Sequence, residues 1–255
     1  MKYCVICKKD KVSMDIKNKL IDKFGKESYD EEKPDFCFPI GGDGTYLNAV
    51  HKYIDNINNI SFVNIKTGNI GFYSNMEASE VDNIENIINK NNEYVYHDLL
   101  EFSIDGEKSI YAVNEVALYG VPEAFKLEVL VDGNKLEDFS GTGLVISTPT
   151  GSTGLNKSLN GAIIDEKLKT LQLTEIAGIK NTKYNSIGNS VVLDSSREIE
   201  IRLKDEVEHI LFSYDNRSID MKGFKSIKIK YSKKQVKNIK YIKKDFFERV
   251  QKSFL

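Results

Sequence analysis

Several things are scarce in this sequence, and each scarcity excludes a class of protein. No apolar run approaches the roughly 20 residues needed to cross a bilayer, so no spanning helix is expected. The formal net charge is only −2 over 255 residues, which gives no electrostatic case for non-specific binding to nucleic acid or to a membrane. The opening "MKYCVICKKD" has too short an apolar stretch for a signal peptide and no small-residue cleavage site, so the chain reads as cytoplasmic. There are four prolines, and neither a low-complexity linker nor an internal repeat is present. Of the three cysteines, Cys4 and Cys7 form a C-x-x-C. No second such pair exists and His51, His97 and His209 are scattered, so the thiols read as packed and reduced rather than as zinc or redox ligands.

What is present is an ordinary globular composition, 40% hydrophobic and 29% charged, with length enough for a sizeable core. Hydrophobic periodicity divides the chain. Residues 1–92 alternate strand and helix: "YCVIC", then Ile16, Leu20, Ile21 and Phe24 up to a stop at Gly25, then "FCFPI", Leu47, Val50, Ile54 and Ile57, "SFVNI", and Val81, Ile84 and Ile88. Ser74 or Asn75 is expected to cap the last of these helices, and Pro39 is expected at its strand's exit because it cannot donate to a ladder. The pattern predicts a Rossmann-like α/β domain with a mostly parallel sheet. Residues 93–232 switch to period two with turns at Asp105-Gly106 and Asp132-Gly133, which predicts an all-β, sandwich-like domain. Residues 156 to about 180 stand out from it as loop and short helix. The tail, 233–255, places Phe246, Phe247, Val250 and Phe254 on one helical stripe and is expected to pack back on the N-terminal domain.

Four stretches carry chemistry. In "GGDGT", Gly41, Gly42 and Gly44 follow an apolar strand and clear space for a phosphate at a helix N-terminus, with Thr45 next in line. Asp43 among them would repel that phosphate, and makes sense as the group that handles a nucleophilic hydroxyl. The spacing is neither G-x-G-x-x-G nor a P-loop, and alone it does not separate sugar, lipid and nucleotide kinases. "KTGNIGFYSN" brackets Ile70 with glycines and presents Phe72 and Tyr73, either to a flat ring or to the core. "AVNEVAL" sets Asn114 and Glu115 in an apolar strand, where they require partners: a ribose diol or a cross-strand bond. "STPTGST" concentrates hydroxyls and glycines after a strand, offering donors to phosphate oxygens and adenine edges without added charge.

In this order, "GGDGT", "TGNIGF", "NE" and "STPTGST" resemble the NAD kinases over nearly the whole chain, and the ending "FFERVQKSFL" looks like their shorter bacterial members. The resemblance implies transfer of the terminal phosphoryl group of ATP, or of polyphosphate, to the 2′-hydroxyl of NAD's adenosine ribose, giving NADP. It implies a divalent cation such as Mg2+ held mainly by the triphosphate, and a homo-oligomer, dimer or tetramer. By position, Asp43 would be the general base with Gly44 beside it, and Asn114 and Glu115 would hold the ribose hydroxyls. Phe72 would line the adenine pocket, and Thr153, Asn156, Lys157, Ser158 and Ala177 would complete the NAD site. The chain departs from the family pattern at Gly141-Thr142-Gly143, at Thr153-Gly154-Leu155 and at Asp215-Asn216-Arg217. A lipid or diacylglycerol-type kinase, and a dinucleotide-binding protein that has lost catalysis, are the alternatives.

Overall fold

The computed structural model describes residues 1–68, 71–90, 93–120, 124–180, 186–241 and 245–255. The chain forms two compact units, residues 1–97 with 234–255 and residues 98–233.

In the first unit β1 (Tyr3–Cys7), α1 (Lys11–Phe24), β2 (Phe36–Gly41), α2 (Asp43–Lys52), β3 (Ser61–Phe62), β4 (Ile65–Lys66), β5 (Met76–Glu77) and α3 (Ile84–Lys90) follow one another. Every strand pairing among them is parallel, with β2 between β1 on one side and β3 and β4 on the other. Burial drives the assembly: Tyr3, Val5, Phe38, Ile40 and Ile65 of the strands pack with Ile16 and Leu20 of α1 and Ile84 and Ile87 of α3. Helix α1 ends where expected, at Gly25 with φ of 81°.

Two local expectations are corrected. Pro39 lies inside β2, opposite Ile6, and not at its exit. The carbonyls of Asp35, Cys37 and Gly41 accept from the β3–β4 side, so the donor that Pro39 lacks falls on that side too, where the partner strand is broken between Phe62 and Ile65. The turn leading into α3 is capped by Glu80, whose carboxylate accepts from the Glu77 N–H at 3.0 Å, and not by Ser74 or Asn75. Asn75 instead joins main-chain groups of Asn64 and Ile239.

The second unit is antiparallel: β6 (Tyr94–Ile104), β7 (Ile110–Ala112), β8 (Glu115–Gly120), β9 (Phe125–Val131), β10 (Asn134–Gly141), β11 (Gly143–Ser147), the single-turn helix α4 (Leu155–Ser158), β12 (Thr170–Ile176), β13 (Val191–Asp194), β14 (Ile199–Leu203), β15 (Ile210–Tyr214), β16 (Arg217–Met221) and β17 (Ser226–Ile239). The chain passes between units within β6 and within β17. One sheet runs β13-β12-β11-β8-β15-β16, and β10-β9-β14-β17 forms the other layer. Between them lie Phe102, Leu118, Leu127, Phe139, Ile146, Leu173, Ile201, Phe212 and Ile229. Asp132 and Gly133, both with φ near +50° to +77°, close the two-residue β9–β10 hairpin. The expected α/β and all-β sandwich-like architecture is therefore present. The loop-and-helix expectation for residues 156 to 180 agrees with α4 and the loop up to residue 169, and is corrected at β12, whose polar Gln172 and Thr174 are buried and bonded instead of facing solvent. Those inward polar residues hid the strand's period.

Helix α5 (Phe246–Phe254) belongs to the first unit and packs on it through Phe246, Arg249 and Phe254. Phe247, expected on that stripe, is 59% exposed, and Arg249 takes the inward position. Among the described residues no helix is long and apolar enough to cross a membrane.

Candidate active site

Strand β2 ends at Gly41, whose φ of 156° turns the chain into α2. A Cβ there would lie 2.3 Å from Thr45 Oγ1, so only glycine fits. Gly42 and Gly44 have nothing within 4 Å of a would-be Cβ. Their backbone is thus open to a close approach at the positive end of a ten-residue helix.

Asp43 is the first residue of α2 and turns its carboxylate onto the 71–74 loop. Phe72 N–H donates to Oδ2 at 3.0 Å and Tyr73 N–H donates to Oδ1 at 3.2 Å. Gly71 allows this closeness, because a Cβ there would sit 2.5 Å from Oδ1. Burial raises the Asp43 pKa above the usual carboxylate range, while the two amides and the charge of Arg249 pull against that rise.

In the second unit, Asn114 lies in the turn before β8 and Glu115 is the first residue of that strand. Asp215, at φ 50° in the β15–β16 turn, fixes the Asn114 backbone: its carboxylate accepts from Val113 N–H at 2.9 Å and Asn114 N–H at 2.7 Å. From the other side Thr148 Oγ1 donates toward the carbonyls of Val113, at 2.8 Å, and Asn114, at 3.1 Å. Gly151 packs against the Asn114 carbonyl, where a Cβ would come within 2.0 Å. Glu115 is 8% exposed, and its Oε2, beside Gly154, has no hydrogen-bond partner among the described residues. Desolvation and then the neighbouring Asp215 push its pKa up to about 8.

A family model described as the ATP-NAD kinase C-terminal domain matches residues 113–241. An NAD kinase of Lactobacillus gasseri is 35% identical over 242 residues, covering 93% of this chain and 90% of its own. NAD kinase 1 of Bacillus subtilis is 33% identical over 265 residues, covering 100% of this chain and 98% of its own. The chain belongs to the NAD kinase family. Its fold agrees with the crystal structure of an NAD kinase from Archaeoglobus fulgidus in complex with ATP, with a TM-score of 0.79 at 20% identity over 99% of both chains. Yeast NADH kinase complexed with NADH gives the same score at 18% identity, covering 99% of this chain and 86% of that one.

The residues expected to form an NAD kinase site fall into separate groups. Gly41, Gly42, Asp43, Gly44, Thr45 and Phe72 gather around the start of α2, all in the first unit. Asn114, Glu115 and Thr153 share the β8 edge and the turn after β11, with the Thr153 hydroxyl donating to Thr150 O at 3.1 Å. Asn156 lies within α4, under the same turn. It is 0% exposed; its Nδ2 donates to Ser152 O and Ala162 O, and its Oδ1 accepts from Thr174 Oγ1 at 2.7 Å. Lys157 and exposed Ser158 sit on the same turn of α4. Ala177 is exposed at φ 47°, just after β12. Half of the alternative for Phe72 holds: its ring packs on Phe246 and Phe254, with centroids at 6.4 and 5.8 Å. Ile70, expected in the same loop, lies outside the described residues.

In the sequence Thr148 reads only as one of the ligand-facing hydroxyls of "STPTGST", Asp215 only as a departure from the family pattern, and Arg249 is given no role. The first two act through backbone geometry, which leaves no trace in residue type. Arg249 does leave a signal, since it lies three residues after Phe246 and next to Val250, inside the apolar stripe.

Proposed function

We propose that the chain transfers the terminal phosphoryl group of ATP to the 2′-hydroxyl of the adenosine ribose of NAD, making NADP. The observation that carries the assignment is Asp43: a carboxylate held at two points on the first turn of a helix whose adjacent glycines leave the backbone open. The open amides at Gly42 and Gly44 take the donor's phosphates. Asp43 orients the hydroxyl and accepts its proton as the new bond to phosphorus forms. Burial suits it to that role by raising its basicity toward working pH. Phosphoryl transfer has a loose transition state, so holding the groups in line does most of the remaining work.

Asn114 and Glu115 hold the ribose of NAD. The unpartnered Oε2 of Glu115 is the acceptor a hydroxyl donor would satisfy, and Asp215 and Thr148 set the position of Asn114. Thr153, Lys157, Ser158 and Ala177 are assigned to the same substrate, Phe72 to the adenine through the part of its ring that α5 leaves uncovered, and Asn156 to holding their turn. The glycine turn offers N–H donors, which suit phosphate oxygens and not a bare cation. A divalent cation therefore fits as part of the nucleotide–phosphate complex, where it neutralises charge on the phosphates.

The test is direct. Purified protein with MgATP and NAD should form NADP, read by a dehydrogenase specific for NADP. Parallel reactions with polyphosphate, NADH and diacylglycerol define donor and acceptor. Phosphorylation of the lipid but not of NAD, or tight NAD binding with no NADP, would overturn the assignment.

A further inference from the structure

The 71–74 loop holds Asp43 by its N–H groups and is itself held from behind. The guanidinium Nη1 of Arg249 donates to the carbonyl of Phe72, the same residue whose N–H donates to Asp43 Oδ2. Arg249 is 4% exposed, an unusual place for a side chain that keeps its charge at every working pH. It reaches that place because Asp245, just before α5, caps the helix with its carboxylate, and because Phe246 and Phe254 flank the ring of Phe72. We infer that Arg249 is a positioning residue for the phosphoryl-transfer reaction: it clamps the Phe72–Tyr73 peptide from the C-terminal helix and so fixes the carboxylate of Asp43. This rests on the assignment of Asp43 as the proton acceptor.

Two physical consequences follow. The clamp is mechanical: the Phe72–Tyr73 peptide is held at its C=O by Arg249 and at its N–H by Asp43 Oδ1, so it cannot rotate and Asp43 cannot swing away from the glycine turn. It is also electrostatic, since the buried charge of Arg249 favours the ionised form of Asp43 against the effect of burial. The other groups facing that carboxylate are the N–H groups of Phe72 and Tyr73, the nearby Ser74 hydroxyl donates to the Gly71 carbonyl, and the first turn of α2 holds no acid besides Asp43 itself. On α5 the remaining charged residues, Glu248 and Lys252, are exposed.

The experiment compares Arg249→Met and Arg249→Lys with the parent chain in NADP formation across pH. In Arg249→Met the acidic limb of kcat/KM should move up by roughly one pH unit, because an opposite charge near Asp43 is gone. Its kcat should fall on the order of tenfold through misplacement, with KM for NAD within about twofold. Arg249→Lys keeps the charge, so its limb should stay in place and most of the rate should return. A limb that does not move in Arg249→Met overturns the inference, as does an equal loss in both variants. If Arg249→Met does not fold, the neutral variant Arg249→Gln is combined with Asp43→Asn. Since Arg249 acts through Asp43, the double variant should be no slower than Asp43→Asn alone, and additive losses overturn the inference. Asp43→Asn also separates the two levels: full turnover in that variant sinks the role of Asp43 itself, whatever Arg249 does.

Discussion

Each unit sets a carboxylate beside a glycine turn, half-buried Asp43 in the first and buried Glu115 in the second, and the two are surrounded differently. Asp43 has a donor on each oxygen and a cation in its surroundings, so its ionised form is supported. Glu115 has an oxygen without a partner and a second acid beside it, so its ionised form is penalised. Burial raises both pKa values, yet only one site is finished without substrate. A pre-satisfied carboxylate suits proton acceptance, which requires a fixed base in a defined state. An unsatisfied one suits binding, because the missing donors arrive with the ligand and relieve a cost already present in the free protein.

The largest effect should come from breaking the finished site. Asp43→Asn should lower kcat by about 10²- to 10⁴-fold, the usual range for a positioned general base, with NAD affinity unchanged by calorimetry. Turnover within a factor of three of the parent would remove Asp43 from the chemistry. The next effect belongs to the unfinished site. Asn114→Ala should weaken NAD binding by about 1–2 kcal/mol, the worth of a hydrogen bond to substrate, while the kcat of bound complexes stays within a small factor. An unchanged dissociation constant would show that the β8 edge does not hold the dinucleotide.

The comparison sharpens further through pH. Glu115 holds its proton up to about 8 in the folded state, whereas an unfolded glutamate releases it near 4.3. Between those values the folded state binds more protons, so stability must fall as pH rises through that window. Glu137, raised to about 7 by burial, adds to the same slope. Glu115→Gln should therefore match the parent at pH 5 and exceed it by on the order of 2 kcal/mol at pH 8.5 in urea unfolding, with part of the slope remaining from Glu137. Asp43→Asn should be the less favourable of the two at neutral pH, because it too removes a carboxylate whose pKa is raised but disturbs two hydrogen bonds in doing so. Its amide would turn an N–H toward a main-chain N–H and lose on the order of 1 kcal/mol. Equal gains for the two variants would abolish the distinction between them.

Much of this was readable from residue types. The period change near residue 93, the Asp132-Gly133 hairpin and the Gly25 stop all rest on local rules that burial does not override. The motifs marked Asp43, Asn114 and Glu115 for the same reason, since charged or amide groups amid glycines or in apolar strands need a purpose. What stayed hidden depends on partners distant in sequence. Asn156 is expected at the NAD site from the family resemblance, and only the fold brings it against Thr174 of β12. Strand β12 was hidden by the same pairing, because its buried Gln172 and Thr174 look like loop residues until Ala162 and Asn156 are seen against them. Pro39 read as a strand end because the break in its neighbour, which makes it tolerable, lies more than twenty residues away in sequence.

The smallest expected effect probes the openness of the glycine turn. Gly44 is helical, exposed and has an empty space where a Cβ would go. By local rules Gly44→Ala should stabilise the chain by about 0.5–1 kcal/mol, the gain of alanine over glycine in a helix. If the donor's phosphates approach the backbone there, the added methyl should raise KM for ATP while leaving NAD affinity alone. Gly42→Ala provides the matching control, since its Cβ also meets nothing and its φ of −100° suits any residue. A rise in KM for ATP alongside a higher melting temperature would show that the glycines are kept for approach and not for folding. Stabilisation with unchanged kinetics in both variants would mean that phosphate binds elsewhere, and the open turn would then have no part in the reaction.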